Sequence, residues 1–241
     1  MLELKNVSKK YKSQYAVDNV SMNVRQGDLV GLLGPNGAGK STTISMIATL
    51  LYPDQGVILF EGNDIRKNPT VLRKVLGYVP QEISLFESLT GYDNLVFWGK
   101  AYHLGKDTLK RAIEWVTAII GFTDLDLKKK VSTYSGGMKR RLNIGVALLH
   151  APKLVLMDEP TVGLDIEARQ SIIRTIREIN ALGVTIIYTG HYLDEIEEMC
   201  NRIIIIKEGK IISDIEKVQV IEQAGALERY YMDAIKQHVI Q

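Results

Sequence analysis

The segment from Gly34 to Ser41 constrains the fold of this chain more than any other part of its sequence. It reads Gly34-Pro35-Asn36-Gly37-Ala38-Gly39-Lys40-Ser41 and satisfies the pattern G-x-x-x-x-G-K-[ST] at every defined position. The apolar run Leu29–Leu33 before it predicts a strand buried on both faces, and the periodic segment 40–51 after it predicts a helix. A buried strand that leads through a glycine-rich loop into a helix predicts an α/β fold with a parallel sheet.

The same segment predicts a phosphate-binding loop. Glycines allow the backbone to turn its N–H groups inward around a phosphate chain, and the start of the helix adds positive potential. Lys40 is expected to reach the β- and γ-phosphates of a nucleotide, and the Ser41 hydroxyl to coordinate Mg²⁺. All eight residues, with Thr42 beside them, are candidate nucleotide-binding residues. A glycine-rich turn that binds nothing is the alternative, and it is disfavoured because the motif and both flanking elements fit.

Two acidic residues follow a second predicted buried strand. The apolar run Leu154–Met157 leads directly into Asp158 and Glu159. Because the carboxyl ends of parallel strands share one edge of a sheet, we expect these carboxylates at the edge that carries the phosphate loop. Asp158 is then a candidate Mg²⁺ ligand, and Glu159 is a candidate to orient or deprotonate water for attack on the γ-phosphate. A solvated acidic pair is the alternative, and the phosphate loop argues against it.

The composition is that of an ordinary globular domain. Of 241 residues 46% are hydrophobic and 24% are charged, and the net charge of +2 argues against a dedicated nucleic-acid binder. No apolar stretch approaches the ~20 residues of a membrane-spanning helix, and we expect no secretory signal at the N-terminus. The single cysteine, Cys200, cannot form an internal disulfide, which favours a reducing compartment.

Hydrophobic periodicity divides the chain into an α/β core and a helical insertion. Further strands are predicted at 2–7, 17–24, 57–60, 76–79, 184–188 and 203–206, and further helices at 112–120, 139–149 and 169–182. Residues 82–150 are mostly helical in period and predict an inserted helical subdomain. Residues 214–241 predict a tail of one or two short helices without evident chemistry.

A third motif lies before the predicted strand that leads into Asp158 and Glu159. Ser135-Gly136-Gly137-Met138 precedes a predicted helix and then the strand that ends at Asp158. This motif resembles the signature motif of the ATP-binding-cassette (ABC) family. With the phosphate loop and the Asp158-Glu159 pair, it makes the chain resemble that family over about residues 2–213. In that family, Ser135 and the backbone N–H groups of Gly136 and Gly137 would clamp the γ-phosphate of a nucleotide bound by a second subunit.

The resemblance also implies the architecture. We expect a P-loop NTPase core, a mostly parallel sheet flanked by helices, with N-terminal antiparallel β strands and an inserted helical subdomain. Residues 1–81 and 151–213 would form this α/β core with its β subdomain. Residues 82–150 would form the helical subdomain that carries the signature motif, and residues 214–241 the C-terminal tail of a single ABC ATPase domain, 1–241.

Four more residues resemble functional positions of the family, although each alone would more often be a loop or surface residue. Gln81 resembles the Q-loop glutamine, whose amide oxygen joins the shell of Mg²⁺ or of the attacking water. Asp165 resembles the D-loop aspartate, which meets the other subunit, and His191 resembles the switch histidine at the γ-phosphate. Tyr11 resembles the aromatic that stacks on adenine, with Tyr15 as the alternative.

Three positions depart from the commonest family pattern. Met138 stands where Gln is frequent, Tyr134 where Leu is frequent, and Gly190 where a hydroxyl residue is usual. None of them removes a predicted phosphate ligand or the base, so catalysis remains the expectation. The segments 138–141 and 191–195 resemble the exporter-type subfamily that serves drug, lipid or polysaccharide efflux.

The resemblance implies an ATP-hydrolysing subunit of a transporter, with ATP and Mg²⁺ as cofactors. Because the chain has one phosphate loop and one signature, two nucleotide-binding subunits, a homodimer or a pair of paralogues, would close head to tail on two ATP molecules. A polytopic membrane permease would be the second partner, docked near residues 81–87, and no nucleic-acid partner is expected. The chain would lie peripherally on the cytoplasmic face of the membrane.

Two other classes of function compete with this interpretation. A soluble, non-transport ABC ATPase in translation or DNA repair usually fuses two cassettes or inserts long coiled coils, and this sequence has neither. A small-molecule kinase would use the phosphate loop alone, and it would need no signature motif such as Ser135–Met138.

Overall fold

The computed structural model describes residues 1–239, which divide into two compact units. One unit contains Met1–Arg73 together with the chain from Thr185 onward, and the other contains Lys74–Val184.

Residues 1–73 form an antiparallel sheet and the start of a second sheet. Their elements are β1 (Leu2–Tyr11), β2 (Gln14–Val24), β3 (Leu29–Leu33), α1 (Lys40–Ile47), β4 (Gln55–Phe60), β5 (Asn63–Asp64) and α2 (Pro69–Arg73). β1 pairs antiparallel with β2 and β4, and β5 pairs antiparallel with β4. Leu2 and Leu4 of β1 are buried, as the two-residue period of a half-exposed strand requires. The predicted N-terminal antiparallel strands are confirmed.

The helix after the phosphate loop is shorter than the periodicity predicts. The sequence predicts a helix over 40–51, but α1 ends at Ile47, and Thr49 has a left-handed backbone with φ of 60°. The guanidinium group of Arg73 donates to the hydroxyl and carbonyl oxygens of Thr49 at 2.7 and 3.2 Å. The predicted end of this helix is therefore wrong, because tertiary hydrogen bonds hold a turn where the local pattern favours a helix.

The unit Lys74–Val184 combines two parallel strands with α-helices. Its elements are β6 (Leu76–Val79), α3 (Gly91–Ala101), α4 (Lys106–Ile119), α5 (Asp124–Lys128), α6 (Gly136–Leu148), β7 (Leu154–Asp158) and α7 (Ile166–Ala181). β6 and β7 pair in parallel, with Leu76 opposite Leu154. α4 buries Leu109, Ile113 and Val116, the spacing of one face of an amphipathic helix. The limits 82–150 for a helical subdomain lie within this unit and stay a prediction.

The chain from Thr185 completes the first unit. Its elements are β8 (Thr185–Thr189), α8 (Leu193–Met199), β9 (Arg202–Lys207), β10 (Lys210–Glu216), α9 (Lys217–Ala224) and α10 (Leu227–Val239). β3 lies between β8 and β9 and is parallel to both, and β10 pairs antiparallel with β9. All residues of β3 and β8 are buried, as expected of central parallel strands. Because β3 and β8 are parallel, the loops that follow them leave the same edge of the sheet.

The C-terminal tail packs on the first unit through two helices. Val220 of α9 and Leu227 of α10 are fully buried, so both helices contribute to its core. Residues 240 and 241 lie outside the described part of the chain. Across residues 1–239, no helix combines the length and apolar character needed to cross a membrane.

Candidate nucleotide site

The side chain of Lys40 forms hydrogen bonds with the backbone of the phosphate loop. The loop connects the buried strand β3 to α1, which begins at Lys40 with Gly39 as the N-cap residue. The Lys40 side chain is buried, and its Nζ donates to the carbonyl oxygens of Gly34 and Pro35 at 2.7 and 3.2 Å. The ammonium group is thereby held against the loop backbone, where phosphate binding needs a cation.

Two glycines of this loop are required by close contacts with neighbouring backbone. A Cβ on Gly34 would lie 2.1 Å from the carbonyl oxygen of Ile206, and a Cβ on Gly39 would lie 2.3 Å from that of Ala16. These distances are far below van der Waals contact, so only glycine fits at either position.

The other loop residues are divided between an exposed tip and the helix start. Pro35, Asn36 and Gly37 are exposed, whereas Ala38 is buried and its carbonyl oxygen accepts a hydrogen bond from the Gly209 N–H at 2.9 Å. Ser41 and Thr42 occupy the first turn of α1, where the helix dipole favours negative charge. This arrangement fits a bound phosphate chain.

His191 leaves the same edge of the sheet as the phosphate loop, because it follows β8. A Cβ on Gly190 would lie 2.6 Å from Cε1 of the buried Tyr188, so the unusual glycine is explained by the tyrosine ring. The Tyr188 hydroxyl donates to the buried carboxylate of Glu195 at 2.5 Å. This hydrogen bond joins the end of β8 to α8 across the segment that carries His191.

The two candidate adenine-stacking residues differ in their surroundings. Tyr11 ends β1 and is 50% exposed, whereas Tyr15 on β2 is 37% exposed. The ammonium group of Lys10 lies 4.2 Å from the centre of the Tyr15 ring, a cation–π contact that covers one ring face. Tyr11 therefore remains the candidate that the surroundings favour.

In the second unit, the structure brings together two residues that the sequence predicts separately. Asp158 ends β7 and Glu159 follows it, and both are buried. The Gln81 side chain donates from Nε2 to Oε2 of Glu159 at 3.2 Å. Glu159 has a left-handed φ of 49°, a conformation that non-glycine residues rarely adopt and that concentrates at functional sites.

The signature motif lies at the start of α6 and close to the start of α7. Ser135 is the N-cap residue, and its hydroxyl accepts a hydrogen bond from the Met138 N–H at 3.2 Å. A Cβ on Gly137 would lie 2.8 Å from the Cβ of Ala168, so this glycine allows the two helix starts to approach. The adjacent Gly136 is exposed, which leaves its backbone accessible.

Asp165 has a structural role that is not among its predicted roles. Its carboxylate accepts a hydrogen bond from the Ala168 N–H at 2.8 Å and caps α7. An aspartate just before a periodic segment is a known N-cap signal that could have revealed this role. Ser135, Gly137 and Asp165 also line a cavity of about 260 Å³, so the signature and the predicted D-loop residue lie beside the same cavity.

Tyr134, which stands directly before the signature where Leu is frequent in the family, is held by specific contacts. Its hydroxyl donates to the carbonyl oxygen of Asp126 at 2.6 Å. A Cβ on Gly91 would lie 2.3 Å from that hydroxyl oxygen, so Gly91 leaves room for the larger side chain. Burial, with a smaller contribution from the Asp126 charge, raises the pKa of Tyr134 to about 12, which keeps the hydroxyl protonated as a donor.

The predicted ligands fit ATP with Mg²⁺. Mg²⁺ prefers hard oxygen ligands and commonly combines one or two carboxylates with phosphates and water. The Ser41 hydroxyl, the Asp158 carboxylate and the Gln81 amide oxygen are ligands of this kind. In the part of the chain that the structure describes, no group of three or more His, Cys, Asp or Glu side chains could hold a metal ion.

Comparison with known proteins assigns the family. The family model described as ABC transporter matches residues 17–162, more than half of the chain. The linearmycin resistance ATP-binding protein LnrL of Bacillus subtilis (strain 168) is 45% identical over 225 residues, covering 93% of this chain and 72% of that protein. The Nod factor export ATP-binding protein I of Sinorhizobium fredii (strain NBRC 101917 / NGR234) is 38% identical over 227 residues, covering 93% of this chain and 65% of that protein. The chain belongs to the ABC transporter family.

A solved structure supports the fold assignment. A dimeric ATP-binding cassette in a post-hydrolysis state, bound to ADP and Pi, matches with a TM-score of 0.81 at 26% identity, covering 90% of this chain and 99% of that chain. The predicted ABC ATPase fold is confirmed, and the chain is an ATP-binding, ATP-hydrolysing subunit with ATP and Mg²⁺ as cofactors. Subunits of this kind work as dimers with membrane permeases. The chain spans about two thirds of the length of the two curated relatives.

Proposed function

We propose that this chain hydrolyses ATP to drive export through a separate membrane permease. The observation that carries the proposal is the hydrogen bond between Gln81 and Glu159 at the end of β7, in a chain with a complete phosphate loop. The direction of transport is supported by the relatives, one named for linearmycin resistance and one for Nod factor export.

The proposal gives the predicted phosphate and magnesium ligands and the catalytic residues the following roles. Lys40 and the backbone N–H groups of 34–41 bind the phosphates, and Ser41 and Asp158 hold Mg²⁺. A magnesium ion held there would supply positive charge against the negative charge that develops in the reaction. Glu159 accepts a proton from the attacking water. Gln81 orients Glu159 and supplies an amide oxygen.

The remaining residues are proposed to contact the γ-phosphate, the adenine ring or the second copy of the chain. His191 contacts the γ-phosphate, and Tyr11 stacks on adenine. Ser135, Gly136 and Gly137 of one copy contact the nucleotide held by the phosphate loop of a second copy, and Asp165 meets that copy. Because the contacts from the signature exist only in the closed dimer, ATP shifts the population toward closure and hydrolysis reverses the shift.

The variant Glu159→Gln tests the shared site. It removes the proton acceptor but keeps the size of the side chain, so we expect ATP binding with loss of hydrolysis and accumulation of a closed dimer. Size-exclusion chromatography with Mg²⁺-ATP measures the dimer, and Lys40→Ala, which should lose ATP binding by calorimetry, is the control. An E159Q protein that binds ATP and stays monomeric would contradict the shared-site mechanism.

An exposed aromatic patch on the loop after Gln81 and on α3 supports a docking site for the permease. Phe86 and Phe97 are 42% and 45% exposed, and their ring centres are 4.6 Å apart. Tyr92 and Leu89 nearby in sequence are also exposed. Exposed aromatic groups that cluster mark protein interaction surfaces. We propose that a cytoplasmic segment of the permease packs here, which would place this chain on the cytoplasmic face of the membrane.

A pull-down from detergent-solubilised native membranes tests the partner. The tagged chain should recover a polytopic membrane protein in stoichiometric amount, and the variant Phe86→Ser/Phe97→Ser should lose it while retaining ATP binding. Recovery of ribosomal or DNA-associated proteins, without a membrane protein, would overturn the transport function and leave the ATPase chemistry in place.

A further inference from the structure

We propose that Arg140 is a positioning residue that sets the orientation of Gln81 toward Glu159. Arg140 lies in the second turn of α6, two residues after the signature motif, and only 5% of it is exposed. The inference rests on the proposed function, because it concerns hydrolysis by Glu159. The sequence marks Arg140 only as part of the segment 138–141, which resembles the exporter-type subfamily, and assigns it no role.

The guanidinium group of Arg140 binds two consecutive carbonyl groups. Nη1 donates to the carbonyl oxygen of Pro80 at 2.9 Å, and Nη2 donates to that of Gln81 at 2.8 Å. A planar, charged fork of this kind fixes direction as well as distance. The peptide groups on either side of the Gln81 Cα are thereby both held against α6.

The side chain of Gln81 extends this connection to the base. Its Nε2 donates to Oε2 of the buried Glu159 at 3.2 Å. A glutamine on a loop has many rotamers and backbone conformations to lose before it can make one such bond. By fixing the backbone at Gln81, Arg140 lowers that entropic cost and favours the conformation in which the amide reaches Glu159.

Two neighbours of Arg140 on α6 bind the rest of the same loop. The buried Asn143 accepts a hydrogen bond from the Ser84 N–H through Oδ1 at 3.4 Å, and Lys139 forms an ion pair with Glu87 at 2.5 Å. One turn of the signature helix thus holds residues 80–87 at three places. A displacement of the signature by a second subunit would therefore move Gln81, with Arg140 as the direct connection.

The variant Arg140→Lys tests the proposal by enzyme kinetics. The lysine ammonium keeps the charge but cannot donate to two carbonyl oxygens in the forked geometry. We expect kcat to fall about tenfold because Glu159 is no longer held in its productive orientation. KM for ATP should change by less than about twofold, since the phosphate loop is untouched.

A double-mutant cycle separates positioning from mere stability. If Arg140 acts through Gln81, then R140K should change kcat by less than about twofold in a Q81A background. In addition, hydrogen exchange at residues 80–87 should rise in R140K. Arg140→Gln, which retains one donor group, enters the same cycle if R140K does not fold.

Arg202→Lys is the matched control. Arg202 is also buried, at 8% exposure, and its Nη1 donates to the carbonyl oxygen of Asn23 at 2.8 Å in the first unit. We expect R202K to lower Tm without changing kcat or exchange at 80–87. A wild-type kcat in R140K, or an equal fold loss with and without Gln81, would overturn the positioning role. A wild-type chain without ATPase activity would instead overturn the proposed function.

Discussion

The phosphate loop, 34–41, follows β3 in the first unit and the loop 80–87 follows β6 in the second, and different kinds of contact hold them. In the phosphate loop, glycines lie so close to neighbouring carbonyl oxygens that a Cβ would be 2.1 Å away at Gly34 and 2.3 Å away at Gly39. In the loop 80–87, the carbonyl groups of Pro80 and Gln81 are bound instead by the side chain of Arg140 on α6. Close approach of glycines to neighbouring backbone, with hydrogen bonds from its own Lys40, therefore holds the first loop, whereas a side chain from the helix α6 holds the start of the second.

This difference matches the tasks that we propose for the two loops. Close backbone packing leaves no space for an added atom, so it preserves one shape and suits a ligand of constant shape such as a phosphate chain. Side-chain hydrogen bonds each contribute about 1 kcal/mol net and can be exchanged singly. They suit a loop whose catalytic group must respond to a partner. We therefore expect large effects of substitution in the phosphate loop and graded effects in the second unit.

Gly34→Ala should have the largest effect. The added methyl group would meet the Ile206 carbonyl oxygen, which belongs to the backbone of β9 and cannot rotate away. We expect a loss of about 3 kcal/mol or more in the free energy of unfolding, the upper range for overpacking, together with loss of ATP binding. Urea unfolding and calorimetry measure the two effects.

Gly37→Ala is the control in the same loop. It has a positive φ of 78°, but a Cβ there would meet no atom within 4 Å. The expected cost is only that of the left-handed backbone, about 1 kcal/mol. Equal destabilisation by G34A and G37A would show that backbone conformation, rather than close packing against β9, determines this loop.

The parts of the molecule that depend on local pattern were predictable. The phosphate loop, the strands beside it and the Asp158-Glu159 pair follow from glycine spacing and apolar runs, and the N-terminal antiparallel strands follow from the family resemblance. The helices α5 and α8 were not predicted, because five and seven residues are too short for a clear helical period. The end of α1 was misplaced because Arg73, far along the chain, determines it.

The contacts that support the candidate site were not predictable for the same reason. Arg140 binds carbonyl groups that lie 60 and 59 residues away in the sequence, and no local pattern encodes that pairing. Gly190 was recognised only as a departure, since its explanation is the ring of Tyr188. The sequence therefore indicates which residues meet the ligand, whereas the residues that hold them in place emerge from tertiary structure.

Substitution of Asp165 in the second unit should have an effect of intermediate size on stability. Because its carboxylate caps α7, Asp165→Ala should reduce the free energy of unfolding by about 1 kcal/mol, with a Tm lower by about 2–4 °C. Asp165→Ser keeps a capping oxygen and should restore most of that stability. If Asp165 also meets a second subunit, D165S should still hydrolyse ATP more slowly than the wild type. Full ATPase activity in D165S would limit Asp165 to the capping role.

The smallest expected effect is a pH dependence at His150, which joins the end of α6 to β6 and so supports the loop 80–87. Its ring stacks on Tyr102 with centres 4.1 Å apart, and Nε2 lies 3.0 Å from the Leu76 carbonyl oxygen. Burial lowers the pKa of His150 below its ordinary value of 6.5. The unfolded chain therefore takes up a proton first, so the stability contributed by the neutral ring is complete above pH 6.5 and is lost as the pH falls below it.

His150→Gln isolates this contribution, because an amide can still donate to Leu76 but does not titrate. Between pH 7.5 and 5.5 the Tm of the wild type should fall by up to ~2 °C more than that of H150Q. Hydrogen exchange at 80–87 should rise over the same range in the wild type, while exchange in the phosphate loop, which belongs to the other unit, should not. Equal Tm losses in the two proteins would show that protonation of His150 does not weaken the side-chain contacts around α6.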